Sequence, residues 1–162
     1  KGVITKNRTD LNAEKQMLAT LSKDDGSVTL QDALKNADVF IGVSRPKLLS
    51  EELVKTMANK PIIFALANPE PEILPELAKA AGAAVIATGR SDYPNQVNNV
   101  LAFPGLFRCA LDNQSPITDE HKIAAAEAIA AIVTEPTADK IIPNPLVDDV
   151  TNAVAAVFKK PS

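Results

Sequence analysis

Val39-Phe-Ile-Gly-Val43 is a short apolar run without polar alternation, and two runs of the same kind follow it, Pro61-Ile-Ile-Phe-Ala-Leu66 and Ala84-Val-Ile-Ala-Thr88. Runs of this length and character read as strands covered on both faces. Helical signals stand between them. Ser50 can cap a helix whose first turn holds Glu51 and Glu52, well placed against the helix dipole. A further helix is expected from Pro71 to Ala81, ended by Gly82 in the left-handed position that glycine tolerates. Strand, helix, strand, helix, strand at this spacing implies right-handed crossovers and a parallel sheet. The expected class is α/β, a Rossmann-like doubly wound parallel sheet with C-terminal helices.

Upstream, Asn12 to Leu21 reads as a helix that places Met17, Leu18 and Leu21 on one side. Asp24-Asp25-Gly26 reads as a surface turn. Thr29-Leu-Gln-Asp32 has capping-box spacing, with aspartate in place of the usual glutamate, and opens a short helix to about Asn36. Downstream, Thr118 caps an alanine-rich helix to about Val133, after which Pro136, Pro143 and Pro145 interrupt the chain. A last helix is expected from Asp148 to Lys159, with Val150, Ala153, Val154, Val157 and Phe158 along one stripe. No repeat or low-complexity linker divides the chain, so residues 1–162 read as one domain.

Composition narrows the function classes. With 46% hydrophobic and 23% charged residues among 162, the chain suits a core-forming domain rather than disorder. Aromatic residues are 4% and tryptophan is absent, so Ala, Val, Ile and Leu must build the core. A net charge of −3 argues against general nucleic-acid binding, which needs a basic face. No apolar run approaches the roughly 20 residues of a membrane span. A lone Cys109 excludes an internal disulfide and a multi-thiolate zinc site. With no signal sequence at its start, the expected compartment is the cytoplasm. Lys1-Gly-Val-Ile4 lacks an initiator methionine and enters as if within a domain, which suggests a fragment.

Ligands of open parallel sheets sit at the carboxyl ends of the strands. The three runs exit through Val43-Ser44, Ala67-Asn68-Pro69 and Thr88-Gly-Arg-Ser-Asp92. Gly42 and Gly89 would let a ligand approach the backbone. Next comes Tyr93-Pro-Asn-Gln-Val-Asn-Asn99, dense in amides, which bind carboxylates and carboxamides without carrying charge. Asn68 and Asn95 also suit plain turn roles, and for Asn68 the two readings weigh equally. At a helix start, capping explains one of Asn98 and Asn99 but not both, which favours a small-molecule crevice. His121 reads as part of a solvated helix face, Cys109 as a packing residue, and Asp92 and Tyr93 as turn residues before acid–base groups. Arg45 and Lys47 fit a phosphate contact or an ordinary loop. No cluster has metal-ligand spacing. A glycine-rich phosphate loop is absent, and a first βα unit carrying one would lie before Lys1.

The stretches Ala67-Asn-Pro-Glu-Pro-Glu72 and Ala87-Thr-Gly-Arg-Ser-Asp-Tyr-Pro-Asn-Gln-Val-Asn-Asn-Val-Leu-Ala-Phe-Pro-Gly105 resemble the bacterial-type malic enzymes. Ala37-Asp-Val-Phe-Ile-Gly-Val-Ser44, Phe107-Arg108 and, more loosely, Ile141-Ile-Pro-Asn-Pro145 extend the resemblance along the chain. These enzymes oxidatively decarboxylate malate to pyruvate and CO2, with NAD or NADP and a divalent metal, Mg or Mn. The resemblance implies that residues 1–162 are the C-terminal portion of the NAD(P)-binding domain. The N-terminal half, with the glycine-rich loop, the acid–base pair and the metal ligands, would be missing. It implies cofactor binding by Ser44, Asn68 and Asn99, and substrate binding by Asn68, Asn98 and Asn99. No catalytic or metal-ligating residue is expected here, and Tyr93 does not match the family's tyrosine. Cys109 stands where glycine is usual, and Arg45 and Lys47 replace small residues. The segment alone should be inactive, and the whole enzyme should form a homodimer or higher oligomer. Two other readings stand beside this one: a non-catalytic nucleotide- or dicarboxylate-binding module, and a structural fragment that folds only with its missing half.

Overall fold

The computed structural model describes residues 2–23 and 25–158. Its helices are α1 (Ala13–Leu21), α2 (Leu30–Leu34), α3 (Glu51–Thr56), α4 (Pro75–Ala80), α5 (Phe103–Asn113), α6 (Asp119–Ile132) and α7 (Val150–Ala155). Strands β1 (Val39–Gly42), β2 (Ile62–Ala65) and β3 (Val85–Thr88) alternate with α3 and α4 and form one parallel sheet in the order β1-β2-β3. The register places Val39 opposite Ile62 and Ile62 opposite Val85, so the three strands end level with one another. An α/β parallel sheet was the class expected, and the strands fall within the three apolar runs.

The two faces of the sheet differ. Phe40, Ile63, Ala65 and Ile86 point to a core completed by Leu34 of α2, Val54 of α3, Ala78 of α4, and Leu49, Met57 and Ile73. On the opposite face cover fades from β3 to β1. Ala87 is fully buried and Phe64 half-buried, while Ile41, in line with them, is 66% exposed. The expectation of strands covered on both faces therefore fails at β1. Alternation in accessibility exists there without alternation in polarity, because no described element packs on Val39 and Ile41.

Local chemistry sets the helix ends. Thr29 and Asp32 form the reciprocal capping box, and Ser50 accepts the Leu53 N–H at the start of α3. Thr118 begins α6 in the same reciprocal way, with His121 Nδ1 accepting the Thr118 N–H at 3.1 Å where glutamate is usual. Gly82, at φ +107°, ends α4, and the Ala83 N–H reaches back to the Ala78 carbonyl. This helix starts at Pro75 rather than Pro71, because Pro71, Glu72 and Ile73 are drawn into the core in non-helical conformation. Helix α1 occupies its expected span, but Met17, Leu18 and Leu21 are exposed and only Ala19 is buried. Asp24 of the expected surface turn lies outside the described residues.

A second core joins α5, α6 and α7 through Leu101, Leu106, Cys109, Ala125, Val150 and Val154. The last helix begins at Val150, two residues later than expected, because Asp148 instead accepts the Asn144 N–H at 2.7 Å. It continues as a 3-10 turn over Ala156–Phe158. The Phe158 side chain and Lys159 lie outside the described residues. Gly105 lets α5 and α7 touch: a Cβ there would stand 2.5 Å from Val154 Cβ and 2.7 Å from the Thr151 carbonyl oxygen. No helix among the described residues is long and apolar enough to cross a membrane.

Since one of the two obstructing groups at Gly105 is backbone, no rotamer change relieves the contact. Gly105→Ala should cost about 1–3 kcal/mol of stability, read as a lower denaturation midpoint in urea at unchanged slope.

Candidate functional site

Parallel, level strands bring Ser44, Asn68 and Gly89 to the same edge of the sheet. Beyond Gly42 and Ala65 the chain leaves β1 and β2 in two loops, and a single side chain ties them. Glu72 is wholly buried, and its Oε1 accepts the Ser44 N–H at 2.9 Å while its Oε2 accepts the Ala67 N–H at 3.0 Å. Backbone bonds from Lys47 N–H to the Pro71 carbonyl and from Leu49 N–H to the Glu72 carbonyl zip the same loops together. The Asn68–Pro69 peptide is cis.

This arrangement corrects one expectation. At Gly42 a Cβ would lie 2.5 Å from Glu72 Cδ and Oε1, so the missing side chain makes room for a carboxylate of the protein, not for a ligand. At Gly89 the nearest such contact is 4.0 Å away and the residue is exposed, so a close approach there is open. Sequence reading missed Glu72. It stood inside the quoted Ala67–Glu72 motif, yet its partners lie five and 28 residues away.

The exit of β3 is organised around Thr88, whose hydroxyl accepts the Arg90 N–H and whose carbonyl accepts the Val97 N–H at 2.8 Å. Arg90 forks onto both Asp92 oxygens, at 2.9 and 2.5 Å, and lies over the Tyr93 ring. These hydrogen bonds hold the Asp92 carboxyl below the usual carboxylate range. Desolvation and donation to Glu76 push the Tyr93 hydroxyl up. Both shifts lead away from neutrality, in keeping with turn residues rather than acid–base groups.

Asn95, in the left-handed region at φ +57°, is a structural rivet. Its buried amide donates to the Ile86 and Ala138 carbonyls, both at 2.9 Å, and its oxygen accepts the Ile141 N–H at 2.8 Å. One side chain thus fastens β3 to the turn at residues 137–140.

Asn98 and Asn99 part company. Asn98 caps a 3-10 turn over Asn99–Leu101 by accepting the Val100 N–H, and α5 begins only at Phe103, with Pro104 in its first turn. The expected helix start is therefore a tighter turn. Asn98 also borders a cavity of about 650 Å³, together with Tyr93, Gln96, Lys140, Asn144 and Asp148. Ser44, Asn68 and Asn99 do not line it. These three are exposed, and no other described residue engages the Asn68 and Asn99 amides. A second cleft of about 410 Å³ opens beside the strand exits, flanked by Lys47, Glu70, Leu77 and Arg90. Lys47 stands 3.9 Å from Glu70, an exposed pair of little energetic weight, and Arg45 is exposed. Cys109 is buried in the second core, in contact with the Asn113 amide, as a packing residue.

The sequence model described as malic enzyme, NAD binding domain, matches residues 1–160. The chain belongs to the malic enzyme NAD-binding domain family. It is 53% identical over 154 residues to the bifunctional malic/malolactic enzyme of Bacillus subtilis, covering 93% of this chain and 37% of that protein. To the NADP-dependent malic enzyme of Escherichia coli it is 55% identical over 134 residues, 82% of this chain and 18% of the other. The crystal structure of the NAD-dependent malic enzyme of Thermotoga maritima superposes with a TM-score of 0.89 at 46% identity, over 97% of this chain and 42% of that one. The chain thus spans well under half the length of each of these relatives.

The donor set at the strand exits fits the cofactor type of this family. A serine hydroxyl and free carboxamides, exposed and uncharged, suit a ribose and a nicotinamide carboxamide. A metal is different. Among the described residues no group of three or more His, Cys, Asp and Glu side chains could hold an ion.

Asn95→Asp should be nearly as damaging as removal of the side chain, costing about 2–4 kcal/mol. It keeps an acceptor for Ile141 but sets a carboxylate against two carbonyl oxygens. Urea denaturation of Asn95→Asp and Asn95→Ala checks this.

Proposed function

We propose that this chain is the cofactor-orienting part of an enzyme that oxidises and decarboxylates malate to pyruvate and CO2 with NAD or NADP. The observation that carries the reading is the pair of adjoining strand exits, tied at Glu72, that present Ser44 and Asn68 at the carboxyl edge of a parallel sheet. Similarity to enzymes named NAD-dependent and NADP-dependent malic enzymes supports it.

In this reading the Ser44 turn meets the cofactor ribose, and Asn68 faces the nicotinamide. Asn99 donates to the malate carboxylate. Asn98, whose oxygen accepts the cap bond, offers its N–H groups to the substrate. NAD or NADP held there would supply the hydride acceptor for malate oxidation. The chain's own share is orientation and hydrogen bonding without charge, which turns a bimolecular encounter into a fixed geometry. Magnesium or manganese enters this reading only through residues other than those described.

Two outcomes test it. In the whole protein, Asn99→Ala should lower kcat/KM for malate by about tenfold to hundredfold, the worth of a hydrogen bond to a charged group, with little change in Tm. Unaltered kinetics would remove Asn99 from the site. Residues 1–162 alone, supplied with malate, Mn and either NAD or NADP, should form no reduced cofactor in a spectrophotometric assay. Turnover by the segment would show that a complete active site is built within it.

A further inference from the structure

The ladder between β1 and β2 ends where Leu66 N–H meets the Gly42 carbonyl at 2.9 Å. Beyond that point nothing in strand pairing dictates how the Ser44 turn stands relative to the Asn68 turn. The Lys47 and Leu49 backbone bonds tie the loops farther along, and the Glu72 side chain ties them at the strand ends, next to Ser44 and Asn68. The two oxygens of Glu72 each hold one turn, it is wholly buried, and it sits in a space that only glycine at position 42 leaves open.

We propose that Glu72 is a positioning residue that makes the Ser44 and Asn68 turns one rigid surface for the nicotinamide cofactor. The proposal rests on the reading of this chain as part of a malate-oxidising enzyme. Glu72 itself is sealed from solvent and acts only through the backbone N–H groups it accepts. A carboxylate suits the task because both its oxygens are acceptors. Glutamine keeps one acceptor and turns an N–H₂ toward the other backbone N–H, which opens one arm of the tie. Aspartate is too short by one methylene to hold both.

The test is steady-state kinetics on the whole protein carrying Glu72→Gln, Asn68→Ala or both, with Tm measured alongside. Glu72→Gln should lower kcat/KM for NAD or NADP by about tenfold or more, since small misplacements at a reacting centre are amplified in rate. Because Glu72 sets the Ser44 and Asn68 turns relative to one another, the loss in the variant carrying both Glu72→Gln and Asn68→Ala should be smaller than the product of the two single losses. Gly42→Ala, which crowds the same carboxylate from the other side, should reproduce the loss, and Glu72→Asp should not rescue it. An unchanged kcat/KM in folded Glu72→Gln overturns the proposal, as does a double variant whose loss is the product of the single ones. If Glu72→Gln yields no folded protein, NMR on the unsubstituted protein decides. The Ser44 and Ala67 amide resonances should both shift on saturation with NAD or NADP, and two unmoved resonances overturn the proposal. Absence of malate oxidation by the unsubstituted protein would instead sink the functional reading.

Discussion

One buried carboxylate ties together two of the strand exits at the carboxyl edge of this sheet. Placing Glu72 out of water costs several kcal/mol, and two backbone N–H donors return about 1.5–3 kcal/mol each. The net is close to balance, so the interaction adds little to stability overall. Its value lies in what it dictates. With both donors in place, two loops that strand pairing leaves independent are held in one arrangement. Glycine at 42 and the non-helical path of residues 71–73 follow from the need to seat that group.

Asn95 does for β3 what Glu72 does for β1 and β2. It spends all of its hydrogen-bonding capacity but one lone pair on backbone groups 9, 43 and 46 residues away. The exit loop of β3 is thereby fastened to the turn that precedes α7, and α7 packs on α5 through the absent side chain of Gly105. A continuous set of contacts therefore runs from the sheet to the helical core and returns to the segment bearing Asn98 and Asn99. The amides left uncommitted, Asn68 and Asn99, stand on supports that are themselves fully engaged.

What sequence reading could reach was local. Thr29 with Asp32, Ser50 and Thr118 announced helix starts because a cap and its partner lie within three residues. The three strands were legible because a buried parallel strand is apolar along its length. Glu72 and Asn95 were not, since their partners are distant and a glutamate in a proline-rich turn looks like any surface residue. The bare side of β1 escaped for a related reason: apolar residues report a preference for burial, not the presence of something to bury against. Of Asn98 and Asn99, capping accounts for Asn98 and leaves the Asn99 amide without a structural partner among the described residues. Motif resemblance, rather than periodicity or charge, carried the family.

The open face of β1 has a consequence for the molecule in solution. As the outer strand of the described sheet it has an unpaired edge, and Val39, Ile41 and Val43 beside that edge are all exposed. Edges of this kind join other edges when copies meet. For the isolated chain this edge favours self-association that rises with concentration. Losses would appear as a second-order process, growing with the square of protein concentration while the cores within each copy stay intact.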